Sequence, residues 1–150
     1  MQSYWEVPVI DGIDVKPTSD ELKHFGAALA SFGSTPLFHM VGITPEARTL
    51  SDVFDGSPPD ARLLDQAAAK GFYGTYLPND DELHVVVFAA PQLSLDEMRR
   101  LGRFLDGRRV SGKVALIACM APAVKESCDR MGITAQIENA GGIVLEGVCF

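Results

Sequence analysis

From residue 83 onward the sequence alternates between short apolar runs and capped helical segments, and this alternation constrains the fold most strongly. Leu83–Ala90 and Val114–Cys119 are rich in apolar and β-branched side chains, which is typical of strands buried on both faces. Between them, Ser94-Leu-Asp-Glu97 has the capping-box spacing that begins a helix. Strands that alternate with helices in this way pair in parallel through right-handed crossovers. The sequence therefore predicts an α/β fold with a mainly parallel sheet flanked by helices.

We expect about four strands in that sheet and a single α/β domain over residues 1–150. A chain of 150 residues with 47% hydrophobic side chains is long enough for one such core. A further helix is expected before the first strand, begun by Thr18 or Ser19 and ended by Gly33. The expected strands are Leu37–Gly42, Leu83–Ala89, Val114–Cys119 and Ile143–Leu145.

Charge and composition exclude several classes of protein. The net charge of -7 argues against a nucleic-acid surface, because phosphate binding requires clustered Lys and Arg. No apolar run approaches the roughly 18 residues that span a bilayer, and the first residues do not resemble a secretory signal. Three cysteines at irregular spacing do not form a disulfide framework. We therefore expect a cytoplasmic protein that binds neither nucleic acid nor membrane.

The stretch Ser31–Ala47 is the strongest local candidate for a site. It has a small-residue turn, an apolar run that contains His39, and then Thr44-Pro-Glu-Ala. Because ligands of open α/β sheets bind at the carboxyl ends of strands, polar side chains after this run are candidates for ligand contact. The same four residues are also an ordinary helix start, with Thr44 as N-cap and Pro45 at the first helical position. Both interpretations stay open from the residues alone.

The histidines and cysteines give weaker signals. His39 lies among apolar residues and either satisfies a buried hydrogen bond or points into a site, whereas His24 and His84 are expected to be structural or surface groups. Cys119 and Cys128 are typical of small core residues, and no glycine-rich phosphate loop is present. A lone cysteine cannot hold an iron–sulfur cluster, which needs about three or four converging thiolates.

The order of segments resembles the catalytic large subunit of the aconitase X family, hydro-lyases distantly related to aconitase. LFHMVGITPEA is the most specific part of this resemblance, and the helix DELKHFGAALASFGS precedes it. Further segments that resemble the family are TLSDVFDG, LSLDEMRRLGRFLDGRRV and AGGIVLEGVC. The resemblance extends from about Val7 to Cys149.

This resemblance implies an aconitase-like domain of a dehydratase that acts on a small hydroxy acid, such as cis-3-hydroxy-L-proline or mevalonate 5-phosphate. It implies an iron–sulfur cluster as Lewis acid, and as partners the other domains or the small subunit of such an enzyme. It places the following side chains at the site: His39 and Glu46 as catalytic groups, Ser31, Ser34 and Thr44 as substrate-binding groups, and Cys149 as a cluster ligand.

The sequence departs from the family at one cluster ligand. Where the family has Gly-Cys-Pro-His, this chain has Ala89-Ala90-Pro91-Gln92, and alanine cannot bind iron. A third family cysteine corresponds to a position beyond Phe150. We therefore expect no cluster in this chain and no turnover by the chain alone. The alternative is a non-catalytic paralogue or interaction domain that kept the fold and lost the cluster.

Overall fold

The computed structural model describes residues 6–76 and 82–148. Its elements follow the expected alternation of strands and helices, with a short 3-10 helix at Leu50–Asp52. The helices are α1 Ser19–Gly33, α2 Gln66–Gly74, α3 Leu95–Leu105, α4 Pro122–Arg130 and α5 Ile133–Asn139, and the strands are β1 Val9–Ile10, β2 His39–Met40, β3 Val85–Leu93, β4 Ala115–Met120 and β5 Ile143–Glu146.

The chain forms two compact units. Of the described residues, the first contains Pro17–Pro36 and residues 83–148, and the second contains Glu6–Lys16, residues 37–76 and Glu82. In the described residues, β1 and β2 pair with each other in a sheet separate from that of β3, β4 and β5. The single domain over residues 1–150 stays a prediction.

The first unit is built on a parallel three-stranded sheet in the order β3-β4-β5. The sequence prediction of parallel strands flanked by helices is thereby confirmed. The count of four strands in one sheet is wrong, since the expected strand Leu37–Gly42 is reduced to β2 and lies in the other sheet. It ends early because Ile43 N and Thr44 N both donate to the carbonyl of Met40, which turns the chain away at Gly42, where φ is 73°.

The core of the first unit lies between this sheet and helices α3, α4 and α5. Alternate residues of β4 enter it, as the period of two along a strand requires. Capping boxes begin two of the helices, since Thr18 and Glu21 cap α1 and Ser94 and Glu97 cap α3. The buried core residues are Leu93, Met98, Leu105, Leu116, Ala118, Met120, Cys128, Ile133, Ile137 and Ala140.

The second unit contains β1 paired in parallel with β2, followed by turns and α2. Helix α2 begins after the N-cap Asp65, whose side chain accepts from Ala68 N, and ends at Gly74. All of its residues are exposed. None of the helices in the described ranges combines the length and apolar character needed to cross a membrane.

Candidate functional site

An open cleft lies beside β3 in the first unit. Its volume is about 510 Å³, and β3, α3 and one residue of α1 line it. Apolar side chains form most of the wall, while Glu97 and Arg100 of α3 and His24 of α1 supply the charged or ionisable groups. The remaining lining residues are Val87, Phe88, Ala89, Ala90, Pro91, Leu93, Leu101 and Phe104.

Glu97 is the central polar group of this cleft. Its position as the third residue of α3 lets its carboxylate accept from Ser94 N at 2.7 Å, while Glu97 N donates to Ser94 Oγ at 3.2 Å. The same carboxylate also accepts from Lys23 and contacts His24. Burial raises the pKa of Glu97, but the hydrogen bonds from Lys23, Ser94 and His24 and the charge of Lys23 outweigh it and lower the pKa to about 2. Glu97 is therefore ionised at any neutral pH.

Helix α1 brings Lys23 and His24 to this carboxylate. The Lys23 ammonium donates to the carbonyl of Gln92 at 2.9 Å and pairs with Oε2 of Glu97. His24 Nε2 lies 2.6 Å from Glu97 Oε1. Because the two neighbours on α1 take different oxygens, the carboxylate is held in one orientation.

The segment Ala90–Gln92 is held from two sides. Lys23 binds the main-chain carbonyl of Gln92, and the Gln92 side-chain amide donates to the carbonyl of Val148 at 3.0 Å. Ala90 is exposed and lines the cleft. The position at which the resemblance implies a cluster cysteine therefore opens onto this cleft but carries no donor atom.

Three of the sequence-predicted site residues lie in the second unit, on β2 and the turn after it. His39 is half-buried, and its Nδ1 is buried without a hydrogen-bond partner. The Thr44 hydroxyl accepts from Met40 N at 3.0 Å and donates to Met40 O at 3.2 Å. Glu46 is exposed. The alternative interpretation of Thr44 as a helix N-cap is wrong, because residues 41–46 form turns and no helix begins there.

The other predicted site residues lie elsewhere. Ser31 is exposed on α1, and Ser34 is the exposed C-cap of that helix, with φ of 54° and its main-chain N–H donating to Ala30 O at 3.0 Å. Cys149 lies outside the described residues. The assignment of His39, Glu46, Ser31, Ser34, Thr44 and Cys149 to a site stays a prediction.

The described cysteines do not fit an iron–sulfur cluster. Cys119 and Cys128 are fully buried, and burial raises the pKa of the Cys128 thiol, which opposes the thiolate form that binds metals. Within residues 6–76 and 82–148, no group of three or more His, Cys, Asp or Glu side chains converges as a metal site would require.

Sequence reasoning did not predict the cluster of Lys23, His24 and Glu97. The capping box identified Glu97 only as a helix-starting residue, since its partners on α1 are more than 70 positions away in the chain. The available signal was the adjacent Lys23-His24 pair on the helix that Thr18 begins.

Comparison with known proteins identifies both parts of the chain. The model of the aconitase X second domain matches residues 2–70, and that of the aconitase X third domain matches residues 83–150. A cis-3-hydroxy-L-proline dehydratase of Hypocrea jecorina is 33% identical over 148 residues, which are 96% of this chain and 25% of the relative. The large subunit of a phosphomevalonate dehydratase of Methanothermobacter thermautotrophicus is 35% identical over 133 residues, which are 89% of this chain and 32% of the relative.

A solved structure also matches. The crystal structure of aconitase X from Thermococcus kodakaraensis in its holo form superimposes with a TM-score of 0.83 at 27% identity, and the match covers 97% of this chain and 36% of that one. The chain thus spans about a quarter to a third of the curated relatives it matches. Because two successive domain models of one family cover most of its residues, the chain belongs to the aconitase X family.

Proposed function

We propose that this chain supplies the second and third domains of a hydro-lyase that dehydrates a small hydroxy acid. The observation that carries this proposal is the match of two successive domain models of one family to residues 2–70 and 83–150. Relatives named as dehydratases of cis-3-hydroxy-L-proline and phosphomevalonate support the class of substrate. Because the chain spans only 25% and 32% of these relatives, the proposal includes further polypeptide, the rest of a large subunit and a small subunit.

Within this chain, the proposal keeps the site residues that the resemblance implies. Dehydration requires a group that removes a proton and contacts that hold the substrate anion. The exposed carboxylate of Glu46 and the unpartnered, buried Nδ1 of His39 support a role in proton transfer or orientation. Ser31, Ser34 and Thr44 would contact the substrate anion, and Cys149 would be a cluster ligand.

The proposal assigns no step to an iron–sulfur cluster held by the described residues, because Cys119 and Cys128 do not fit one. A cluster in the complete enzyme would take its ligands from outside residues 6–76 and 82–148. The described side chains contribute only binding, orientation and proton transfer.

The second candidate is a non-catalytic paralogue or interaction domain. The observation that favours it is Ala90, which lies exposed on the cleft wall where the resemblance implies a metal-binding cysteine. Gln92 supports it as well, since its side chain is engaged with Val148 O as a structural group.

A chimeric enzyme separates the two candidates. The matching segment of the Methanothermobacter large subunit is replaced by this chain, the product is expressed with its small subunit, and dehydration of phosphomevalonate is measured. The same exchange in the Hypocrea relative is assayed with cis-3-hydroxy-L-proline. Turnover by either chimera supports the hydro-lyase proposal.

A chimera that also carries Ala90→Cys is the matched comparison. Activity that appears only with this substitution supports the paralogue and contradicts a catalytic role for the natural chain. Circular dichroism and subunit association show whether each chimera is folded. If the chimeras with and without Ala90→Cys are all folded but inactive, the hydro-lyase proposal is overturned. The variant Glu46→Gln in an active chimera then tests the proposed proton-transfer group.

A further inference from the structure

We propose that the outer face of α3 and the turn after it bind an acidic segment of a partner protein that carries an aromatic side chain among its carboxylates. This arginine face consists of Arg99, Arg103, Phe104, Arg108 and Arg109, all of which are exposed. Its arginines do not line the cleft beside β3, and none of these residues belongs to the proposed hydro-lyase site. The proposal therefore goes beyond the proposed function and concerns another surface of the chain.

Helix α3 presents its arginines outward because its opposite side fills the core. Met98 and Leu105 are buried, while Arg99 and Arg103 lie four residues apart in one exposed row. Like charges at this spacing repel each other on a helix. Arg99 is partly neutralised by Asp96 at 2.7 Å, whereas Arg103 has no such neighbour in the described residues. An anion placed over this row would remove the repulsion.

Most of the positive charge on the arginine face is unpaired within the described part of the chain. Residues 99–109 contain five arginines against one acidic residue, although the whole chain has a net charge of -7. Among the described residues, Arg103, Arg108 and Arg109 take part in no ion pair. The face is therefore a local excess of positive charge on an otherwise acidic chain.

Helix α4 treats its exposed basic residues differently. Lys125 pairs with Asp129 at 2.8 Å, and Arg130 pairs with Glu126, each across one helical turn. The sequence thus supplies a counter-charge to the basic side chains of α4 and withholds it from those of the arginine face. We infer from this contrast that the counter-charge of the arginine face comes from another molecule.

Phe104 gives the face an apolar centre. It is 62% exposed, and the Arg108 guanidinium lies 4.5 Å from the centroid of its ring. The turn at Gly107, where φ is 66°, leads the chain to Arg108, whose N–H donates to Leu105 O at 3.0 Å. The contact with the ring gives the guanidinium no oxygen acceptor, so Arg108 keeps its capacity to bind a carboxylate. Arginine and aromatic residues of this kind dominate the binding energy of many protein interfaces.

The distribution of charge favours a short acidic segment over a nucleic acid or an anionic membrane. Helix α3 has 11 residues and is therefore about 16 Å long. At physiological salt the charge of the face is screened over about 8 Å, so a short segment interacts mainly with the arginines. A duplex or a bilayer extends well beyond the face and meets the acidic remainder of the chain, which repels it. A partner side chain that covers Phe104 also requires an apolar group among the carboxylates.

Peptide titration of the isotopically labelled full chain tests this proposal. The probe is an N-acetylated peptide of glutamates around one central tryptophan, and main-chain amide shifts are followed by NMR. We expect saturable shifts centred on residues 99–109, and at least about tenfold weaker binding when glutamine replaces the glutamates or when salt is raised to about 0.5 M. Alanine in place of the tryptophan should weaken binding about threefold or more.

Matched variants locate the peptide on the chain. Arg103→Gln and Arg108→Gln should each weaken binding about fivefold or more. Arg130→Gln is the control and should change it by less than about twofold, because Arg130 is an exposed arginine already paired on α4. Phe104→Ala should weaken binding of the tryptophan peptide but not of the alanine peptide, since only the former covers the ring. Melting temperatures check that each variant is folded.

Several outcomes would overturn the proposal. They are the absence of saturable shifts at millimolar peptide, equal effects of the Arg103 and Arg130 variants, and equal binding of the tryptophan and alanine peptides. Duplex DNA and vesicles of phosphatidylcholine with phosphatidylserine are titrated under the same conditions, and tighter binding of either would also overturn it. Because every measurement uses the chain alone, failure here leaves the hydro-lyase proposal standing, and an inactive chimera has no bearing on the arginine face.

Discussion

At residue 97 one carboxylate joins two segments that are distant in sequence, the start of α3 and helix α1. Glu97 caps its own helix at Ser94, accepts from Lys23 of α1, and contacts His24 on its other oxygen. Its side chain is only 16% exposed, so these interactions are weakly screened by solvent. Glu97 therefore connects α1 to the start of α3.

We expect Glu97→Gln to lower the free energy of unfolding by about 2 to 3 kcal/mol at pH 7. The reason is that the pKa of Glu97 is lowered from 4.5 to about 2, which means that the folded state stabilises the ionised carboxylate. Because the folded-state pKa is the lower one, this stability is complete above about pH 4.5 and is lost as the pH falls toward 2. Urea denaturation of both proteins at several pH values measures it.

Glu126→Gln is the control for this effect, because Glu126 pairs with Arg130 on the exposed surface of α4. An exposed pair of this kind contributes little to stability. A difference between wild type and Glu97→Gln that stays constant from pH 7 to pH 3 would contradict the assigned pKa.

Thr44 closes the turn after β2 through two hydrogen bonds with the main chain of Met40. Thr44→Val should lower stability by about 1 to 2 kcal/mol, because it leaves the half-buried turn without these bonds, whereas Thr44→Ser keeps the hydroxyl and should cost less. Chemical denaturation of both variants measures the effect. If the Thr44→Val and Thr44→Ser variants are equally stable, the Thr44 hydroxyl does not stabilise the turn. Its proposed contact with the substrate then gains support.

Among the elements, α5 and β5 meet at a close approach that only glycine permits. A Cβ on Gly142 would lie 2.7 Å from Ile137 Cγ2 and 3.1 Å from Ile137 O. A Cβ on Gly102 of α3 would lie 2.8 Å from Gln136 Oε1, the far end of a flexible side chain. The two glycines therefore differ in what must move to admit a methyl group.

We expect Gly142→Ala to destabilise the chain by about 1 to 3 kcal/mol, since the contact with a main-chain oxygen cannot relax without shifting α5. Gly102→Ala should change stability by less than about 1 kcal/mol, because Gln136 can swing away and alanine is the better helix former. Thermal unfolding of both variants measures the difference. A larger loss for Gly102→Ala would show that Gln136 is held in place.

For the whole molecule, stability is distributed unevenly between the two units. The first has the buried core around β4, while every residue of α2 in the second is exposed. Leu63 and Leu64 just before α2 are each 87% exposed. A nine-residue helix whose residues are all exposed is marginal in water.

Hydrogen exchange should therefore protect the amides of β4 most strongly and leave residues 60–74 exchanging at nearly the unfolded rate. Limited proteolysis should cleave first within this exposed stretch. Mass spectrometry of exchange and of early cleavage products measures both. Protection of α2 comparable to that of β4 in the isolated chain would contradict the prediction.

The sequence by itself determined the local elements of this protein. The capping boxes at Thr18 and Ser94 begin α1 and α3, and the apolar run of β4 predicts a buried parallel strand, because these signals act within one turn or one strand. The resemblance to aconitase X carried by LFHMVGITPEA and its neighbours is confirmed by the family match. The roles of His39 and Glu46 stay predictions.

Only the tertiary structure decided which segments meet. The pairing of β2 with β1 removed the expected fourth strand from the larger sheet, and no local pattern distinguishes one parallel partner from another. The contacts of Glu97 with Lys23 and His24 join positions 74 and 73 residues apart, so they depend on the path of the chain between them. The cleft beside β3 follows from the same packing, because its wall is assembled from three elements that are separate in sequence.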